Sequence, residues 1–177
     1  MSHIVRNTIR FIMFILVQVY VLNQIPPLHQ FVTPYLYFLF ILWLPFTISR
    51  FALLFVAFLF GLSLDHFMST PGLHAAPCVL IAYLRPFLIN ILIVQEGTEQ
   101  NYTEPSIKSM GFAPYGLYVF LLTFIHHFYL VLIEWISFGN FLYFLGKVAA
   151  TTGISMLLIF ITEMLFFRKQ KFKTNTA

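Results

Sequence analysis

Asp65 and His66 stand side by side in "GLSLDHFMSTPGLHAAP", residues 61–77, and His74 follows the pair Pro71-Gly72. Further on, His126 and His127 are adjacent, and Glu134 comes seven residues after His127. A carboxylate beside an imidazole can serve acid–base chemistry, and two His with a Glu can hold a metal. The spacings favour neither use. Adjacent His residues leave a helix about 100° apart and the HExxH spacing is missing, so interhelical hydrogen bonding is expected of His126 and His127. No Ser/His/Asp triad pattern, Walker loop or GxGxxG occurs, and nothing in the chain calls for catalysis or a cofactor. Two readings stay open for Asp65, His66 and His74: helix caps at a membrane interface, or the lining of a polar hollow.

The elements that position these groups must be apolar. Of 177 residues, 60% are hydrophobic and 9% charged, and the mean hydropathy is +0.87. A soluble domain could not build a charged shell from this composition, so the solvent is lipid. A bilayer crossing takes about 20 apolar residues as helix, which allows roughly six or seven spans. The sequence predicts six, near 8–24, 33–48, 50–67, 73–94, 114–134 and 141–167. Together they form a transmembrane domain over 1–167, with a basic tail over 168–177. The basic N-terminal start lacks a small-residue cleavage site and reads as a retained first span. Cys78 is the single cysteine, so it has no intrachain disulfide partner.

Charge orients the spans. With both termini in the cytoplasm, Arg6, Arg10, Arg50, Arg85, Lys108, Arg168, Lys169, Lys171 and Lys173 can all reach the cytoplasmic side, leaving only Lys147. The basic balance is then a topology signal, not a sign of nucleic-acid binding. The polar stretch 95–112 reads as an extramembrane loop. Arg85 precedes Pro86, so the fourth span is expected either to finish near Leu84 or to let Arg85 snorkel. Glu163 is expected to pair with the tail or snorkel.

Pro71-Gly72 fits the centre of a type II turn between the third and fourth spans, and Pro77 fits the first turn of the fourth. Ala57, Gly61 and Asp65 recur every four residues and share one helical face. Gly146, Ala149, Ala150 and Gly153 form a second small-residue face, beside Lys147. Such faces invite close helix packing. The expectation is that spans three and six meet there, with Asp65 paired to Lys147 and His74 completing the polar lining of an outer hollow or turn that also holds His66 and Gly72.

The run Gly61…Asp65, Pro71-Gly72-Leu73-His74-Ala75 and Ala82-Tyr83-Leu84 resembles the signature of the MreD family of rod shape-determining membrane proteins. Length, span number and the short basic tail agree with that family across nearly the whole chain. The loop 95–112 is longer and more acidic than in its better-known members. The resemblance implies an all-α integral membrane protein of six transmembrane helices, similar to the S-component fold of energy-coupling-factor transporters. It also implies a non-enzymatic scaffold of the bacterial inner membrane. This scaffold would bind MreC and, through it, MreB, RodA and a penicillin-binding transpeptidase, in lateral peptidoglycan synthesis. The alternative is a solute-binding S-component-like transporter subunit. Such subunits typically dock through an Ala-x-x-x-Ala face on the first helix, and residues 1–51 contain no Ala and no Gly, so that face is missing.

Overall fold

The computed structural model describes residues 3–25, 33–93, 102–135 and 140–165. Its helices are α1 (His3–Tyr20), a 3-10 turn (Leu22–Gln24), α2 (Leu39–Leu42), α3 (Arg50–Met68), α4 (Ala75–Leu92), α5 (Ile107–Met110), α6 (Phe112–Glu134) and α7 (Phe141–Leu165). Among the described residues, five segments, Ile4–Gln24, α3, α4, α6 and α7, are long and apolar enough to cross a membrane. The chain is therefore a multi-pass, all-α membrane protein. Outward faces carry large apolar side chains such as Phe51, Phe55, Phe87, Phe160 and Leu165, as lipid contact requires. The basic tail lies outside the described residues.

The segment expected to be the second span, 33–48, is not a membrane-length helix. Pro34 biases the residue before it toward extended backbone, and Pro45 offers no N–H to continue a helix. The stretch between them, as a helix, would rise only about 15 Å, half of a bilayer's hydrocarbon thickness. The chain instead runs without regular structure through residues 33–36, makes the single turn α2, and leaves through further turns. Every residue from Tyr35 to Leu44 is buried, none more than 8% exposed.

Non-helical backbone at membrane depth must have its polar groups satisfied by protein. Side chains from four helices do this. Gln18 of α1 donates to the Pro34 carbonyl at 3.1 Å and accepts from the Leu36 N–H at 3.0 Å. Ser155 of α7 accepts from the Tyr35 N–H at 3.4 Å. At the other end, Tyr118 of α6 donates to the Leu42 carbonyl at 3.0 Å, and Arg85 of α4 donates to that of Leu44. The segment thus runs from near the C-terminal end of α1 down to Phe46, whose N–H meets the Thr103 carbonyl at 3.0 Å. Glu104, next to Thr103, binds Arg6 and Arg10 at the start of α1. These contacts define two ends of the bundle: a basic end with Arg6, Arg10 and Arg50, and a hairpin end with the α3–α4 turn.

Candidate functional site

At the hairpin end, α3 finishes with Ser69 in the left-handed region (φ 55°), and Gly72 adopts φ 82° in the following turn. That positive φ is one a glycine takes without steric cost. The turn folds the chain back over Asp65, a residue only 3% exposed. One oxygen accepts from the His74 N–H at 2.9 Å, His74 Nδ1 at 3.0 Å and Thr70 Oγ1 at 3.2 Å. The other accepts from the N–H groups of Gly72 at 3.1 Å and Ala75 at 3.0 Å. Asp65 therefore caps the start of α4 from the preceding helix, placing a negative charge at the positive end of the α4 dipole. Gly61 lets this happen. A Cβ there would lie 2.4 Å from the Ala75 Cα and 2.9 Å from the His74 carbonyl oxygen.

The expected Asp65–Lys147 pair does not form. Lys147 pairs with Glu134, across the α6–α7 end. The reason is local: five donors within ten residues of Asp65 saturate its lone pairs, and α4, not α7, packs on the Gly61 face. Ala57 is fully buried, but Gly146 and Gly153 are exposed on the outward side of α7, with Ala150 half-buried. The buried face of α7 is Phe144, Val148, Thr151, Thr152, Ser155 and Ile159. His66 also points outward, exposed and in an edge contact with Phe67.

Behind the hairpin lies a cluster no local pattern announces. Tyr37 Oη shares a hydrogen bond with His126 Nε2 at 2.9 Å, and His126 Nδ1 another with His127 Nδ1 at 3.1 Å. The Tyr35 ring stands 5.9 Å from that of His74 and 5.8 Å from that of His127. His126 and His127 thus bond to the internal segment and to each other, while Glu134 is engaged by Lys147. His74 sits in the turn ahead of α4, where burial pushes its imidazole below the usual range against the opposing pull of Asp65. Facing the carboxylate, His74 Nδ1 carries the hydrogen that Asp65 accepts.

Arg85 departs from both expectations. The helix α4 continues through Pro86 to Leu92, and Arg85 is only 2% exposed. Its Nε donates to Tyr118 Oη at 3.1 Å, besides the bond to the Leu44 carbonyl. A cation at the end of the short α2 turn complements the carbonyls exposed there. Glu163 is held within the bundle, accepting from Trp43 Nε1 at 2.9 Å and from Tyr115 Oη. Glu104 also escaped sequence reasoning. The four-residue spacing of Arg6 and Arg10, which puts both on one helical face, was the available signal for an acidic partner.

No protein-family model, curated protein or solved structure matches the chain.

Proposed function

We propose that the chain is a non-enzymatic membrane scaffold of the MreD kind, binding MreC and supporting lateral wall synthesis in a bacterial inner membrane. One observation carries this reading. The residues of the resemblance, Gly61, Asp65, Gly72, His74 and Ala75, meet in a single hairpin lock in which both Asp65 oxygens are spent on the turn and the start of α4. The Asp65–His74 pair holds a turn and caps a helix, a use suited to presenting a fixed surface. In this proposal the internal segment 33–48 is the sixth crossing, both termini are cytoplasmic, and the complex also contains MreB, RodA and a penicillin-binding transpeptidase.

The S-component-like alternative is supported less well. The outward face of α1 carries Ile4, Ile9, Ile12, Met13 and Leu16, not the small residues of an Ala-x-x-x-Ala docking face. Affinity purification of the tagged chain from its native membrane, with identification of bound proteins, tests the proposal. Recovery of MreC and RodA is the expected result. Recovery of an ATPase-coupled transporter in their place would overturn it.

A further inference from the structure

The helices α3 and α4 touch backbone to backbone where Gly61 meets Ala75. Arg50 and Pro86 lie the same number of residues from that contact along the two antiparallel helices, and so stand level. Between them opens a cleft of about 430 Å³, with Leu54 and Arg50 on the α3 side and Tyr83, Pro86, Phe87 and Asn90 on the α4 side. Its walls are mostly apolar. Tyr83 (69% exposed) and Phe87 (64% exposed) extend them outward.

Charge marks this cleft. Arg6 and Arg10 bind Glu104, Lys147 binds Glu134, Asp65 binds His74, and Arg85 is held by Tyr118 and the Leu44 carbonyl. Among the described residues the Arg50 guanidinium has no carboxylate partner, and it is exposed at the first turn of α3. A cation at the edge of an apolar, lipid-facing groove is complementary to a molecule with an anionic head and a hydrocarbon tail. Asn90, also exposed, adds an amide beside the same opening.

We infer that this cleft binds an anionic phospholipid, its phosphate at Arg50 and an acyl chain along Leu54 and Phe87. Guanidinium and phosphate match in geometry as well as charge, and the aromatic walls suit the region just below the headgroups. The inference stands on the membrane character of the chain and is independent of the scaffold reading.

Native mass spectrometry of the full chain in detergent tests it, with phosphatidylglycerol and phosphatidylcholine added separately. The wild type should retain phosphatidylglycerol in preference to phosphatidylcholine. Arg50→Gln should weaken phosphatidylglycerol binding about fivefold, the worth of one surface cation toward anionic lipid. Arg50→Lys should keep part of it. Leu54→Trp, which fills the groove and leaves the charge, should weaken it as well. Equal retention of the two lipids, or phosphatidylglycerol binding unchanged by both Arg50→Gln and Leu54→Trp, would overturn the inference. So would an acidic protein segment that co-purifies through Arg50 while phosphatidylglycerol binding is unchanged.

Discussion

Asp65 illustrates how a membrane protein can bury a carboxylate. Its cost is offset by five short-range donors, three of them backbone N–H groups of the turn and of the first turn of α4. Both oxygens face donors, so an amide would point its NH₂ at an N–H whichever way it turned. Asp65→Asn is therefore expected to destabilise the protein by about 3 kcal/mol, the scale for breaking a buried charge-assisted network. Equilibrium unfolding in mixed micelles measures this. Since Lys147 belongs to Glu134, combining Asp65→Lys with Lys147→Asp should recover nothing beyond the sum of the single losses. Recovery in the double variant would show that the two residues couple after all.

At the scale of elements, two glycines on apolar helices have opposite meanings. The missing Cβ of Gly61 lets α4 start directly against α3, and the atoms it would strike are backbone, which cannot step aside. Gly153 has nothing within 4 Å of its would-be Cβ and faces outward on α7. Gly61→Ala should cost roughly 2 kcal/mol by overpacking. Gly153→Ala should be neutral or gain up to about 1 kcal/mol in helix propensity. The same unfolding assay reads both. A neutral Gly61→Ala would mean that the hairpin tolerates separation there.

For the whole molecule, the decisive element is the internal segment. It joins the hairpin end to the basic end although it is not a membrane-length helix, so losing the expected second helix does not change the number of crossings proposed. Reporter fusions should therefore read outside at residue 30, inside at residue 100 and inside at the C-terminus. A C-terminus that reads outside would refute six crossings. The segment is also the reason Gln18, Ser155, Tyr118 and Arg85 are polar: each serves backbone groups that an intact helix would have satisfied alone.

Properties set by neighbours in sequence were legible without coordinates. Lipid as the solvent, the long apolar spans and the turn at Pro71-Gly72 depend on composition over a window, or on φ at one residue, and the residues themselves carry that information. The close-packing face of Ala57, Gly61 and Asp65 was legible too, because a spacing of four fixes a helical face, but the helix it meets was not. Partner choice is a long-range outcome. Asp65 turned to His74 because the hairpin supplied donors nearer than Lys147, and Glu104 reached Arg6 and Arg10 because its loop folds back over the start of α1. Arg85 illustrates the limit most clearly. Sequence marked it as costly in a membrane, but the groups that satisfy it belong to α6 and to a segment whose own departure from helix depends on side chains of four separate helices. Only the packed tertiary structure brings those donors and acceptors together, and only there does the charge find its place.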